Sequence, residues 1–362
     1  MSEIKVNSIK GVAASDAAIT VNNTDGTCAA NITSLNGGQF ANRNIILNGE
    51  FLVAQRASSA TSVSGSAAFT YDTVDRFCYG RNTDAVVNLA QEDDAPVGFK
   101  KCLQLRVTTV ATAAGTNYAR LVYRIEDTDV YRFGFGQSGT RFLTLSFYHK
   151  HTQAGTNCVM IQNPGYNRSY IAEYTQSVAN TWERATITFP VDTGNHWSPA
   201  SGRGMQIQWG LTDNDAQGSA NVWTSSNIVV TSNQYNHLGA VDNYFRLTGI
   251  QLELGSVATD FEHRSFAQEL ALCQRYFQKN ATAQMYMAVI RTSDSQHRLN
   301  LNLPVTMRAT PTGTITSGSQ DGGPSLTVES GSSEHTIKIR QGPAVNTGSA
   351  PSVSEYTLDA EL

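Results

Sequence analysis

Charged residues are scarce in this sequence. They make up only 15% of its 362 residues, against about 25% in an average soluble domain. The formal net charge is −4, which argues against the clustered Lys and Arg of a nucleic-acid-binding surface. Hydrophobic residues still account for 40% of the chain, so the composition is not that of a disordered protein. These values exclude a nucleic-acid partner and favour a folded chain.

The sequence also lacks long apolar runs and paired cysteines. No run approaches the roughly 18 apolar residues of a membrane span, so we expect no membrane insertion. Residues 1–15 have no apolar signal-peptide core, which favours synthesis and folding in a cytoplasm. The five cysteines are an odd number without a CxxC pair. We expect them to be free thiols that pack as small hydrophobes.

Motifs for catalysis are missing. No phosphate-binding loop, HExxH zinc helix, GxSxG elbow or dinucleotide fingerprint occurs. His149 and His151 could form half a metal site, but without partner ligands we expect exposed strand histidines. The tract 213–215 could begin a calcium loop, although an ordinary polar turn is favoured. The acids at 92–94 could serve glycoside cleavage, but neighbouring residues do not establish a pair across a cleft. We predict a non-enzyme with no catalytic residue, metal or cofactor.

Alternating patterns are what the chain does have. Apolar residues recur at every second position in several short stretches, which turn-rich tracts separate. Abundant Thr, Asn, Gly and aromatic residues also favour strands and polar loops. The stretches are Leu103-Leu105-Val107, Leu143-Leu145-Phe147, Ile187-Phe189 and Met205-Ile207-Trp209-Leu211. The sequence therefore predicts an all-β jelly roll or β-sandwich over residues 42–263.

One segment has helical spacing instead. Ser265 and Gln268 have the spacing of a capping box, and Asn280 could be a left-handed C-terminal cap. Apolar residues recur at helical intervals at Phe266, Leu270, Cys273 and Phe277. We predict a helix over 266–278 within a connecting segment 265–279.

The two ends of the chain have little apolar surface. Residues 1–40 are rich in Gly, Ala, Asn and Thr. They have too little apolar surface to form a hydrophobic core of their own. We interpret them as an extended N-terminal attachment arm. Residues 280–362 show β-like alternation and Gly-rich turns, which predicts a smaller C-terminal β domain with a thin core. Such a domain could need neighbouring copies of itself for stability.

Several motifs together resemble virion tail-fibre and receptor-binding proteins of tailed bacteriophages. The strongest is the stretch 247–265, which continues as Glu269-Leu270 and Cys273-Gln274-Arg275-Tyr276-Phe277. The others are Asn42–Phe51, Gln55-Arg56, Tyr71–Phe77, Thr181–Phe189 and Asn302–Thr312. Phe77 stands where these proteins often have Trp. The resemblance covers roughly residues 42–312.

This resemblance implies a carbohydrate-binding-like jelly roll in a homotrimeric virion protein that serves host adsorption. It implies attachment to phage tail or capsid proteins through residues 1–40, and a location in the virion after assembly in the host cytoplasm. It supplies no catalytic residues. The motif residues themselves also have a structural interpretation, because Ile250, Leu252 and Leu254 alternate with Gln251 and Glu253. We expect this motif to be scaffold rather than ligand site.

Sugar recognition combines aromatic rings with polar side chains, and this directs attention to the tryptophans. Trp209 alternates with core residues, and Trp182 begins a strand, so we expect both to pack. Trp197 and Trp223 lie in or beside loops and are the better candidates. The candidate glycan-binding residues are Trp197, Trp223, Asn195, His196, Asp213 and Asp215. Tyr131, Phe133 and Phe135 form a second possible platform, although their spacing fits a strand face equally well.

Two function classes remain open at this stage. The first is a tail fibre that recognises a bacterial surface glycan. The second is a structural tail adaptor or capsid-decorating fibre without receptor binding. A glycan depolymerase is less favoured than either.

Overall fold

The described part of the chain has an all-β architecture with two short helices, α1 (Asp127–Val130) and α2 (Phe266–Gln274). The computed structural model describes residues 8–9, 19–21, 28–30, 42–112, 118–194, 196–197, 202–280, 285–286, 288–290, 296–319, 326–329, 332–341 and 352–362. Within 1–40, three strands pair antiparallel: β1 (Ser8–Ile9), β2 (Ile19–Val21) and β3 (Cys28–Ala30). The rest of the predicted attachment arm lies outside the described residues.

Eleven strands form one large antiparallel sheet between residues 59 and 254. They are β4 (Ser59–Thr70), β5 (Phe77–Glu92), β6 (Cys102–Thr109), β7 (Tyr118–Glu126), β8 (Phe142–His151), β9 (Gly155–Gln162), β10 (Ser169–Gln176), β11 (Glu183–Pro190), β12 (Arg203–Gly210), β13 (Trp223–Thr224) and β14 (Tyr244–Leu254). Their order is β11-β8-β14-β6-β5-β7-β12-β9-β10-β13, and β4 pairs with β5.

The large sheet curls into two facing layers because β5 is shared between them. The first half of β5, residues 77–82, pairs with β7, whereas its second half, residues 86–92, pairs with β6. The predicted apolar faces of β6, β8, β11 and β12 line the core between the layers. Phe147 of β8 meets Trp209 of β12 edge-on, with ring centroids 5.7 Å apart. This sandwich confirms the predicted fold class, and the fully buried Trp209 is core as expected.

Residues of the fibre-like motifs join distant parts of the scaffold. The side chain of Asn44 donates to the carbonyl of Ile250 and accepts from the amide of Leu252. Asn48 donates to the carbonyls of Val53 and Asp75. These buried bonds pin the segment after residue 42 to β14 and to the loop before β5, which agrees with the scaffold interpretation.

Gln251 and Glu253 are also fully buried, although alternation alone would place them towards solvent. The loop after β14 covers them, because Thr259 donates to Glu253 through both its amide and its hydroxyl. Gln251 accepts from the amide of Glu262. A strand that is covered on both faces can bury polar side chains when they are hydrogen-bonded. Gln251 and Glu253 both make such hydrogen bonds.

The helix after the sandwich is shorter than predicted. It begins with the expected capping box of Ser265 and Gln268 but spans only Phe266–Gln274, labelled α2. Phe277 starts strand β15 (Phe277–Asn280), so Asn280 is not a helix cap. Phe266 is 56% exposed rather than core. The prediction of a helix to residue 278 was wrong because the strand pairing of 277–280 with 356–359 takes over there.

In the described residues after α2, the strands form two four-stranded sheets. The strands are β15, β16 (Met285–Tyr286), β17 (Ala288–Ile290), β18 (Gln296–Asn302), β19 (Thr312–Ser319), β20 (Thr327–Val328), β21 (Thr336–Gln341) and β22 (Ser352–Asp359). Ile337 and Ile339 of one sheet share a small apolar cluster with Val353 and Leu358 of the other. That cluster accords with the predicted thin core, and independent folding of 280–362 stays a prediction.

Candidate functional site

An aromatic-lined cavity lies at one end of the sandwich, where three loops meet. Its volume is about 180 Å³, and its described lining residues are Asp127, Val130, Tyr131, Phe135, Gln137, Pro164, Trp197 and Gly204. We call it the Tyr131 cavity. It combines exposed or half-buried rings with one carboxylate and one amide, the kind of lining that binds a small polar ligand with an apolar face.

The β7–β8 connection builds one wall. A single helical turn, α1 (Asp127–Val130), leads into a 3-10 turn over Tyr131–Phe133. Gly134 ends this turn at a φ of +75°, a left-handed conformation that glycine adopts without strain. Within this turn, Phe133 is buried in the core, whereas Tyr131 is 78% exposed. Residues 131–135 thus lie on turns, and the strand face, the other alternative that their spacing fitted, is not formed.

The opposite wall is held by an anchored tryptophan. Trp197 stacks on Phe135, with ring centroids 3.9 Å apart and planes 30° from parallel. Its indole N–H donates to Asp192 at 2.8 Å, and Arg168 donates to the other oxygen of Asp192 at 2.7 Å. Burial raises the pKa of Asp192, but the hydrogen bonds from Arg168 and Trp197 outweigh it and hold that pKa below its usual range. The ionised carboxylate thus fixes the Trp197 ring.

Trp223 supports this wall from behind. Its ring meets Trp197 edge-on at 5.6 Å and Phe135 at 6.1 Å, and its N–H donates to the carbonyl of Pro190. His196 is half-buried and its backbone carbonyl accepts from Asn163. Asn195 lies outside the described residues. The structure thus brings the two predicted tryptophans together.

Asp213 and Asp215 are not part of this cluster. Asp215 is buried and accepts two hydrogen bonds from Arg120, at 2.5 and 2.6 Å. Arg120 pairs with Gly210 at one end of β12, whereas Gly204 near its other end lines the cavity. Six strand residues span about 20 Å, so the two acids lie at the wrong end of the strand. Neither acid therefore lines the Tyr131 cavity, and the buried Asp215 anchors its loop to β7. A ligand role for either acid stays a prediction.

Four residues of the cavity were not singled out from the sequence: Asp127, Val130, Pro164 and Gly204. They belong to α1, to the loop after β9 and to β12, and only the adjacency of β7, β12 and β9 brings these parts together. Gln137 had been noted only as a neighbour of the aromatic platform. The one usable signal was the aromatic spacing of 131–135 beside polar residues.

The strand histidines are buried rather than exposed, which corrects that expectation. His149 and His151 are 1% and 0% exposed, and His237 joins them from a 3-10 turn. Ring centroids are 5.0 Å apart for His149 and His151, and 4.9 Å for His151 and His237. Among the described residues, no group of three His, Cys, Asp or Glu side chains is arranged to hold a metal ion.

The acids at 92–94 do not form a facing pair: Glu92 accepts from the side chain of Gln104 at 3.3 Å, and Asp93 and Asp94 form surface ion pairs. Asp93 binds Lys101 at 2.6 Å, and Asp94 binds Lys150 at 2.8 Å and accepts from the indole of Trp182 at 3.2 Å. In the part of the chain that the structure describes, no helix has the length and apolar character to cross a membrane.

The sequence and the fold were both compared with known proteins. No protein-family model and no curated protein matches this sequence. Solved structures with a similar fold include a family 4 carbohydrate-binding module, 12% identical, with a TM-score of 0.30, covering 57% of this chain and 97% of that one. A family 11 module from Clostridium thermocellum, bound to a β-1,3-1,4-mixed-linked tetrasaccharide, is 12% identical and has a TM-score of 0.28. The match covers 58% of this chain and 99% of that module. A family 30 carbohydrate-binding module is 11% identical and has a TM-score of 0.28, and the match covers 59% of this chain and 92% of that module.

Proposed function

We propose that the protein is a non-enzymatic glycan-binding protein and that the glycan binds in the Tyr131 cavity. The observation that carries this proposal is the exposed Tyr131 ring beside the carboxylate of Asp127 and the amide of Gln137. A sugar presents a C–H face that can lie on an aromatic ring, and hydroxyl groups that bond carboxylates and amides. Preformed walls favour such binding because little side-chain entropy is lost when the ligand arrives.

The biological setting we propose is a phage tail fibre. The fibre-like motifs of the sequence support it, as does the apolar-poor segment 1–40, which would attach the protein to a tail or capsid protein. The glycan would then be a surface glycan of the bacterial host, and the protein would reside in the virion. Homotrimer formation belongs to the same proposal, and a stable monomer in sedimentation at micromolar concentration would contradict it.

A glycan array followed by calorimetry on the purified full chain tests glycan binding. We expect saturable binding to at least one glycan. Tyr131→Ala should weaken this binding about tenfold or more, since an aromatic anchor in a small site carries much of the binding energy. Phe266→Ala is the matched control because Phe266 is also an exposed aromatic residue but lies on α2. It should bind like the unmodified protein.

Two results would overturn the proposal. One is the absence of saturable binding to any glycan, which would favour a structural adaptor instead. The other is undiminished binding by Tyr131→Ala, which would place the glycan elsewhere. Binding of the full chain and of a form lacking residues 1–40 to host cells then tests the tail-fibre setting. Equal binding by both forms is expected if the arm only attaches the fibre.

A further inference from the structure

The Tyr131 cavity is small and closed at its inner end. Its volume of about 180 Å³ is below the roughly 300–1,000 Å³ of pockets for drug-sized ligands. Gly204 of β12 packs so tightly on α1 that a Cβ there would lie 2.6 Å from the Cα of Asp127 and 2.9 Å from a methyl carbon of Val130. The described residues of β12 and α1 therefore leave no gap between them through which a polysaccharide could pass.

The side of the cavity is closed as well. The stacked rings of Phe135 and Trp197 fill one side, and the amide of Gly136 donates to the carbonyl of Asp192, which ties the two loops together. Tyr131, the most exposed of the lining rings, stands at the mouth. Among the described residues, this exposed side is where a ligand can enter the cavity.

The charged side chains in the described lining of the cavity are of one sign, negative. Asp127 is the only Asp, Glu, Lys or Arg among the described lining residues. One of its oxygens accepts from the amide of Thr128 at 2.7 Å, which leaves the other for a ligand. Two nearby arginines are engaged elsewhere, because Arg203 donates to the carbonyl of Pro164 and Arg168 pairs with Asp192. Arg132, next to Tyr131, lines a different cavity with Glu126 and Asp129. A ligand anion would meet a carboxylate here without a cation among the described lining residues to compensate.

From these features we infer that the cavity takes a single neutral sugar residue at the end of a glycan chain, and that it discriminates against acidic sugars. This inference rests on the proposed glycan function and specifies its ligand. The ring of the terminal sugar lies against Tyr131, its hydroxyls reach Asp127 and Gln137, and the rest of the chain leaves through the mouth. Recognition then depends on the chain end and not on chain length.

Calorimetry with two matched series of sugars tests the inference on the full chain. The first series extends the bound sugar from the methyl glycoside to a hexasaccharide. Affinity per molecule should stay constant, because every chain has one such end. A steady rise of affinity with length would overturn end recognition, since it indicates several subsites along the chain.

The second series compares each neutral sugar with its uronic acid, which differs by a carboxylate at C6. The acid should bind about tenfold or more weakly. Asp127→Asn should reduce this discrimination several-fold, because the amide can still accept from Thr128 but no longer repels the anion. Equal or tighter binding of the uronic acid, or unchanged discrimination by Asp127→Asn, would overturn the inference.

The two levels of failure are distinguishable. If no sugar binds in a Tyr131-dependent manner, the proposed function itself fails. If binding depends on Tyr131 but rises with length or favours acids, only the present inference fails.

Discussion

At the scale of single residues, His151 is a titratable side chain buried among other rings. It is fully buried, and within the described part of the chain neither ring nitrogen has a hydrogen-bond partner. The titratable groups facing it are His149 on its own strand, His237 and Tyr174, and Phe245 stacks on it at 4.5 Å. Burial, followed by repulsion from His237 and His149, lowers the pKa of His151 well below its usual value.

The whole histidine cluster should make the fold sensitive to acid. Burial lowers the pKa of His149 from 6.5 to about 4 and that of His237 from 6.5 to about 3. As the pH falls below 6.5, the unfolded chain takes up protons that the folded chain cannot, so stability is lost from pH 6.5 down to about 4 for His149 and about 3 for His237. The hydrogen bond to Gln176 and the charge of Glu183 both favour the protonated form of His149, but burial outweighs them and keeps its pKa low. Urea unfolding at a series of pH values measures this loss.

We predict that His151→Leu reduces this pH dependence. The variant should retain about 2 kcal/mol more of its stability at pH 4.5 than the unmodified protein, relative to each at pH 7.5. Burial raises the pKa of Asp75 to about 6, which acts in the opposite direction, but this contribution is present in both proteins and cancels in the difference. Identical pH profiles for the two proteins would contradict the prediction.

At the scale of elements, the bulge in β14 shows how one glycine shapes a strand. The register of β14 against β8 shifts between Thr248 and Gln251, and Gly249 within it has a φ of +60°. A Cβ at Gly249 would lie 2.7 Å from the ring of Phe99 and 3.0 Å from that of Tyr148. The glycine of the fibre-like motif is therefore needed for both backbone conformation and packing.

We predict that Gly249→Ala destabilises the protein by about 2–4 kcal/mol, from left-handed strain together with overpacking. Gly65→Ala is the matched control, because Gly65 has a φ of +75° but a Cβ added there would have no atom within 4 Å. It should cost only about 1–2 kcal/mol. Urea denaturation measures both, and equal losses would show that the contact with Phe99 and Tyr148 does not matter.

At the scale of the whole molecule, buried ion pairs join the C-terminal sheets to the sandwich. Arg76, 1% exposed, pairs with Glu361, donates to the carbonyl of Arg124 and lies 3.4 Å over the ring of Tyr276. Arg56 bridges Asp75 of the sandwich and Asp359 at the end of β22. The last residues of β22 and those after it thereby hold the two parts together.

We predict that Glu361→Gln destabilises this junction by about 3–5 kcal/mol, because it leaves the charge of Arg76 buried without its partner. Glu355→Gln is the control, since Glu355 pairs with Lys279 at 3.0 Å near the surface and should cost only about 0–1 kcal/mol. Calorimetric unfolding of both variants measures the losses. A single unfolding transition unchanged by Glu361→Gln would contradict the predicted coupling.

Much of the fold follows from the sequence alone. Side chains alternate along a strand, so Leu145 and Ile207 identified core faces before any pairing was known. The capping box at Ser265 marked the start of α2 because its bonds are local. The end of α2 was not determined in this way, because Phe277 fits a helical face as well as a strand, and only pairing with β22 decides between them.

The site was decided by the tertiary structure. Trp197 and the ring at Tyr131 could be suspected from their loops, but Asp127 and Gly204 join them only because β7 and β12 are neighbours in the sheet. Strand order likewise places Asp215 beside Arg120 at the far end of β12. The loop after β14 covers Gln251. Local periodicity specifies which face of an element is apolar, whereas the meeting of loops distant in sequence depends on how the strands pair.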